Sequence, residues 1–204
     1  MALRQISLPP SRNKSGMSLV EALARRESIR DYGTKPLSPE QVSQLLWATQ
    51  GITDGSQERR AVPSAGATYP LEIIVVCGDV EGINTGIYRY NVESHSLTLL
   101  QEGDFRSQLG QAALGQNFIY EAPLSIVICA IYERTAQVYG ARAKRYVHIE
   151  VGHAGQNVYL QATALGLGTV AVGAFSDEQV RGVLKLDKRY SPLYIMPIGY
   201  PARR

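Results

Sequence analysis

Two hydrophobic periods run through the chain and divide it into helices and strands. From Ala143 to Leu165, Val147, Val151, Ala154, Val158, Ala162 and Leu165 recur at intervals of three and four, which predicts one long helix with a continuous apolar face. Gly166-Leu167-Gly168 ends it, because glycine terminates helices readily, and Thr169 to Val172 is predicted as a strand. Leu71 to Cys77, bounded by Pro70 and Gly78, and Leu124 to Ile131, introduced by Pro123, are β-rich runs that read as buried strands. Gly86 to Asn91 and Ser96 to Leu100 predict a hairpin turning at Glu93-Ser94, and Pro192 to Ile198 a last strand.

Three further helices start alike. Ser18-Leu19-Val20-Glu21, Ser38-Pro39-Glu40-Gln41 and Ser176-Asp177-Glu178-Gln179 each place Ser at an N-cap and Glu or Gln three residues later. The implied helices cover about 18–26, 39–50 and 177–185, with Val42, Leu45, Leu46 and Thr49 facing inward in the second. Residues 104–114 and 116–121 read as short helices. Residues 1–17 read as an irregular arm ahead of a single domain over 18–204. The class is α+β, with helices flanking a sheet of four to five strands.

Composition narrows the function. The chain has 204 residues, 45% hydrophobic and 19% charged, with a formal net charge of +3. That is ordinary for one globular domain, and its dispersed basic residues form no stripe for nucleic acid. Cys77 and Cys129 lie in apolar runs and read as buried, reduced thiols; the sequence leaves a disulfide between them open. Without an apolar run long enough to span a bilayer, and with no apolar signal core in Met1 to Ser18, a soluble cytoplasmic protein is expected.

The densest chemistry is Arg25-Arg26-Glu27-Ser28-Ile29-Arg30-Asp31-Tyr32, at the end of an amphipathic helix. Guanidinium groups present planar forks suited to phosphate, although cationic residues are also common at helix C-termini. Pro63-Ser64-Ala65-Gly66-Ala67-Thr68-Tyr69-Pro70 offers small residues where a flat ligand could lie close, and Arg203-Arg204 adds charge at the end. Other motifs have plainer explanations. The glycines from Gly166 to Gly173 follow a helix and precede a strand, the reverse of a dinucleotide fingerprint. His148 and His153, five apart, face different directions on one helix, which disfavours a shared metal. Ser64 sits in no nucleophile elbow and reads as a hydrogen-bonding, backbone-positioning residue.

In this order the segments resemble the flavin-dependent nitroreductase family, from about Leu19 to Pro201, and within it the compact SagB-type branch related to azoline oxidases. The carriers are the arginine segment, Val62 to Glu72, Glu150 to Gly173 with Gly152-His153-Ala154-Gly155-Gln156-Asn157, and Ile198-Gly199-Tyr200-Pro201. Glu27 stands where the family places a second arginine or its equivalent. The resemblance implies a mostly antiparallel sheet in an intertwined homodimer, with FMN at the subunit interface. Arg26 and Ser28, with Glu27 between them, would hold the FMN phosphate and ribityl chain, and Arg30 the N1/O2 edge. Pro63, Ser64, Ala65 and Gly66 would come from the partner subunit to the pyrimidine edge. Val172, Gly173 and Ala174 would line the isoalloxazine with a backbone amide near N5, and Arg203 and Arg204 would complete the phosphate clamp. Substrate would be bordered by variable loops over 103–121 and 132–145.

The implied activity is ping-pong hydride transfer from NAD(P)H, through flavin N5, to an electron-poor acceptor such as a nitroaromatic or quinone. One alternative is dehydrogenation of a peptide azoline. That branch uses a Lys-Tyr pair ahead of the central helix, where this chain has Lys144-Arg145-Tyr146. If Arg145 takes the Lys position, its guanidinium stays protonated and does not abstract a proton, which leaves Tyr146 as a donor and favours the reductase. A second alternative is a non-enzymatic flavin-binding protein.

Overall fold

Strict alternation in the two central strands decides the layering. In β4 (Leu71–Cys77), Ile73, Val75 and Cys77 enter one core while Ile74 and Val76 enter another; in β7 (Leu124–Ala130), Ile126 and Ile128 join the first and Val127 and Cys129 the second. A strand apolar on both faces needs cover on both. Helices α2 (Pro39–Gln50) and α6 (Ala143–Ala164) cover the first face, and α3 (Arg106–Ala112) and α7 (Asp177–Leu184) the second. The computed structural model describes residues 4–14, 16–55 and 59–202.

The main sheet has seven strands in the order β1-β6-β5-β4-β7-β9-β8. The remaining strands are β1 (Gln5–Ser7), β5 (Gly86–Asn91), β6 (Ser96–Glu102), β8 (Gly168–Thr169) and β9 (Ser191–Gly199), and every pairing is antiparallel. A separate ladder joins β2 (Ile52–Asp54) to β3 (Arg59–Arg60). Helices α1 (Leu19–Arg25), α4 (Asn117–Glu121) and α5 (Tyr132–Tyr139) complete the chain. Capping boxes close the starts of α1 and α2, and Ser176 caps α7.

The expected α+β class is observed, with central strands and long helix within a residue or two of their predicted limits. Cys77 and Cys129 are free and buried, and burial pushes the Cys77 thiol up to about 12.

Other expectations need correction. The sheet has seven strands rather than four to five: Gln5–Ser7, in the arm read as irregular, pairs with Ser96 to Thr98 at one edge, and the two-residue β8 pairs with β9 at the other. The strand expected over Thr169 to Val172 is only the two-residue β8 plus an isolated bridge from Val172 to Ile195. Residues 132–145 are not a loop: α5 and a 3-10 turn over Gly140–Arg142 lead straight into α6. Ala22 of α1 is buried, but Leu19, Val20 and Leu23 are exposed, left uncovered by the described residues.

Gly166, at φ +70°, ends α6 in the left-handed region as expected. Gly168 has a different reason. A Cβ there would lie 2.6 Å from Ile29 Cβ, while Ile29 N–H donates to Thr169 O at 2.9 Å and Ser28 bridges Thr169. Gly168→Ala should therefore push the arginine segment off the sheet and cost about 1–3 kcal/mol through overpacking. Gly173→Ala, whose Cβ would make only an ordinary 3.9 Å contact with Tyr194, should melt like the parent in the same thermal denaturation.

Candidate functional site

Helix α6 carries two polar side chains that organise its surroundings, Tyr159 and Glu150. Nine residues apart, they lie roughly 13 Å along the axis and half a turn around it, so they serve different faces.

Around Tyr159 the arginine segment meets the exit of β8. Ser28 Oγ and Tyr159 Oη share a 2.9 Å hydrogen bond, and Tyr159 Oη accepts from Ala171 N–H at 2.8 Å. The Arg26 guanidinium lies 5.2 Å from the Tyr159 ring centre, within cation–π range. Val172 is buried and exchanges backbone hydrogen bonds with Ile195, whereas Gly173 and Ala174 are exposed. Gln116 Nε2 donates to Ala174 O at 3.0 Å and fixes that exit. Arg26 is half-buried; Glu27, Ser28 and Arg30 are exposed. Among the described residues no ion pair joins Arg26 or Arg30 to a carboxylate, while Arg25 pairs with Glu21. The segment thus presents cationic forks and a hydroxyl beside a strip of open backbone. Arg203 and Arg204 lie outside the described residues.

Around Glu150 stands the second expected segment. Pro63 and Gly66 are exposed, Ser64 and Ala65 half-buried. Gly66, Ala67 and Tyr69 have φ of +60°, +51° and +42°, a cluster of left-handed residues that stores strain, about 1 kcal/mol or more for each non-glycine. Local bonds hold it. Ser64 Oγ donates to Glu150 Oε2 at 2.7 Å and accepts from Tyr69 N–H at 3.0 Å. Thr68 Oγ1 donates to Ala65 O at 3.0 Å and meets Thr135 Oγ1 at 2.9 Å. Arg134, paired with Glu72, donates to Tyr69 O at 2.9 Å, and the Arg60 guanidinium stacks 4.1 Å from the Tyr69 ring centre. A Cβ on Gly66 would stand 2.8 Å from Tyr139 Oη, so a larger residue there must displace the Tyr139 ring as well as adopt the left-handed φ of +60°. Tyr146, half-buried at the start of α6, packs edge-on against Tyr139 at 4.9 Å between ring centres.

The structure brings Arg26 and Ser28 together at Tyr159 with Ala171, just ahead of the 172–174 strip, and places Pro63 to Gly66 and Tyr146 on the other side of α6. Sequence reading missed Tyr159, Glu150, Arg60 and Tyr139. Glu150 had a visible signal: a carboxylate inside the apolar stripe, beside Val151 and one turn from Val147 and Ala154. Tyr159 had none, because a tyrosine next to Val158 reads as packing. Ser64 does position backbone, as expected, and His148 is hydrogen-bonded to Tyr132 Oη at 2.6 Å. No helix among the described residues is long and apolar enough to cross a membrane.

Glu150 is 3% exposed. Burial pushes its carboxyl up to about 7, against the opposing pull of the Ser64 hydrogen bond and the Arg60 charge. The ordinary value is 4.5, so above it the unfolded chain gives up this proton before the fold does. Stability then declines from about pH 4.5 to pH 7 and levels off above. Glu150→Gln cannot ionise. It should melt like the parent below pH 4.5 and be more stable by an amount on the order of 1–3 kcal/mol at pH 8, as read from denaturation curves across that range.

The chain matches the Nitroreductase family over residues 23–200. It is 50% identical over 183 residues to a protein of Methanocaldococcus jannaschii that bears a provisional nitroreductase name, covering 90% of this chain and 91% of that one. It is 28% identical over 170 residues to the microcin B17-processing protein of Escherichia coli, covering 80% of this chain and 62% of that protein. Among solved structures, a provisionally named nitroreductase from Ralstonia eutropha superposes with a TM-score of 0.86 at 29% identity, over 98% of this chain and 91% of that one. The chain belongs to the Nitroreductase family.

Proposed function

We propose that this chain is an FMN-dependent oxidoreductase that moves hydride from a reduced nicotinamide nucleotide to an electron-poor acceptor such as a nitroaromatic or quinone. The observation that carries this reading is the Tyr159 cluster. It ties Arg26 and Ser28 through the Tyr159 ring and hydroxyl to the Ala171 amide, two residues before exposed Gly173, where an added Cβ would meet only Tyr194 at 3.9 Å. That donor set fits a phosphorylated planar cofactor: Arg26 and Ser28 donate to the phosphate and ribityl oxygens, and Arg30 sets a fixed cation by the ring edge that gathers negative charge. Glu27 can only accept while ionised, so it suits ribityl hydroxyls rather than phosphate. With the Val172 amide engaged by Ile195, the amides of Gly173 and Ala174 are the ones to face the ring. Arg203 and Arg204 are retained as further phosphate donors. When bound, the flavin supplies the redox chemistry; the protein orients the rings and keeps the site's charge fixed.

Pro63, Ser64, Ala65 and Gly66 would reach the cofactor from a second copy. Two features support such a homodimer: the two half-sites lie on opposite faces of α6, and Leu19, Val20 and Leu23 are exposed on the helix bearing the arginines. Sedimentation should return twice the chain mass; a monomer that still binds flavin would refute the shared site.

The decisive test is the absorbance of purified protein, then anaerobic addition of NADH and NADPH. Bound FMN bleached by either nucleotide is expected, and a protein that FMN cannot turn yellow would overturn the reading. Arg26→Ala should weaken FMN binding by about 1.5–3 kcal/mol; an unchanged dissociation constant would contradict the clamp.

A second reading, azoline oxidation in the SagB-type branch, is favoured by the similarity to the microcin B17-processing protein and by Tyr146 packing on Tyr139 beside the 63–69 loop. Tyr146→Phe should leave nitroaromatic reduction intact in the reductase and abolish thiazoline oxidation in the oxidase.

A further inference from the structure

The Glu150 carboxyl has one oxygen used and one unused. Oε2 accepts from Ser64 Oγ at 2.7 Å, while Oε1 is buried with no hydrogen-bond partner among the described residues. The Gln50 amide nitrogen is likewise buried and unpartnered, and its Oε1 accepts from Arg60 at 3.3 Å. A buried carboxylate with one oxygen unsatisfied is a costly thing to keep in a fold. Its one firm partner is the hydroxyl that also closes the strained 63–69 loop.

Donor and acceptor arithmetic at Ser64 gives this arrangement a consequence. A hydroxyl has one hydrogen and two lone pairs, and one lone pair is already taken by Tyr69 N–H. When Glu150 is ionised, its Oε2 takes the Ser64 hydrogen, so the loop presents no hydroxyl donor. When Glu150 is neutral, a proton on Oε1 would be a buried donor without an acceptor, whereas on Oε2 it donates to Ser64 Oγ. Both lone pairs of Ser64 are then occupied, and its own hydrogen must turn toward the exposed side of Pro63 to Ala67. We propose that Glu150 is a positioning residue that acts through Ser64, arming the loop with an outward hydroxyl donor when neutral and withdrawing that donor when ionised. No bond to a heavy atom forms or breaks; only the direction of two hydrogens changes.

The ligand that reads this donor is an acceptor edge, a carbonyl or a ring nitrogen, of a planar molecule laid on the loop. Its identification as the flavin pyrimidine edge rests on the function proposed above. The surroundings set where the change occurs. Burial raises the Glu150 carboxyl and prevails over Ser64 and over Arg60 on β3, the charged group that favours ionisation. Tyr69 on the loop, Glu72 on β4 and Arg134 on α5 act on Arg60 in turn. The transition therefore falls in the neutral range, where a ligand can feel it.

The test compares parent, Glu150→Gln, Ser64→Ala and Arg26→Ala as full-length proteins titrated with FMN from pH 5.5 to 8.5, read by flavin fluorescence. The phosphate's own ionisation at about pH 6 affects parent, Glu150→Gln and Ser64→Ala alike and cancels in their ratios, whereas Arg26→Ala, which loses a phosphate contact, is read only for its step at pH 7. Parent affinity should fall by about 3–10-fold across pH 7 relative to Glu150→Gln, the worth of one hydrogen bond. Ser64→Ala should lose the step as well, and Arg26→Ala should bind weakly at every pH while keeping it. Parallel profiles for parent and Glu150→Gln, with FMN bound, would overturn the inference and leave the flavin reading standing. Infrared spectra of the ligand-free proteins test the switch without flavin. A protonated-carboxyl band should titrate near neutrality, vanish in Glu150→Gln and shift in Ser64→Ala. An absent band, or one indifferent to Ser64, would also overturn it. That band behaving as expected in a protein that binds no FMN would uphold the switch and reject the flavin reading.

Discussion

The approach of Ile29 to Gly168 is the contact on which the candidate site depends. Two backbones pass so near that one must carry no side chain, since a Cβ on Gly168 would sit 2.6 Å from Ile29 Cβ. Once they touch, Ile29 N–H bonds to Thr169 O, and the flanking residues are placed in turn. Ser28 comes within reach of Tyr159, Tyr159 takes the Ala171 amide, and Arg26 is laid against the same ring. A short, polar, arginine-rich stretch would otherwise have little reason to order, because long cationic side chains lose considerable entropy when fixed. Here the order comes from the backbone pairing, and the Arg26 guanidinium inherits it with no ion pair to a carboxylate among the described residues.

The opposite face of α6 works by a different economy. The 63–69 loop holds three residues in the left-handed region, two of them not glycine, and such strain persists only where neighbours over-determine it. Ser64, Thr68, Arg134 and Arg60 supply those restraints. Each restraint draws on a polar or charged group at the edge of the core, so the loop's shape is coupled to local electrostatics. A single carboxylate, half-satisfied and almost fully buried, sits at the centre of that coupling. Hydrophobic packing could have filled the same volume at lower risk, since an unpaired buried polar atom costs about 1–3 kcal/mol.

Much of the fold was legible because its signals are local. Pro70 and Gly78 bracket β4, serine caps open three helices, and one apolar stripe draws α6. What escaped was decided at a distance. Gln5–Ser7 forms a strand because β6 offers an edge to pair with, and a three-residue run with one apolar member, Ile6, is too short to announce that. Helix α5 was hidden by its composition: Tyr132, Thr135 and Tyr139 face inward, but the apolar Ala136 and Val138 between them are exposed and blur the period. At the site, the residue types of Arg26, Ser28 and the 63–66 segment pointed to chemistry, but their organisers, Tyr159 and Glu150, lie some 90 to 130 positions away in sequence. Gly168 was legible as a glycine and misread as a helix stop, because a close backbone contact and a chain reversal ask for the same residue.

Together these features argue that α6 is the member that makes two half-sites into one device. Its apolar stripe, Val147, Val151, Ala154, Val158 and Ala162, packs into the core and leaves its orientation little freedom. Tyr159 and Glu150 project from that fixed rod in opposite directions, so each half-site is indexed to the same scaffold rather than to its own loop. Loops alone would let the arginine segment and the 63–69 segment drift independently. Anchored to one helix, they keep a constant separation, and a second copy of the chain, related by symmetry, would present its loop to the first copy's arginines with the same constancy. Rigid elements hold geometry better than loops do. On the function proposed above, this arrangement would give two small, polar segments the precision that positioning a planar ligand requires.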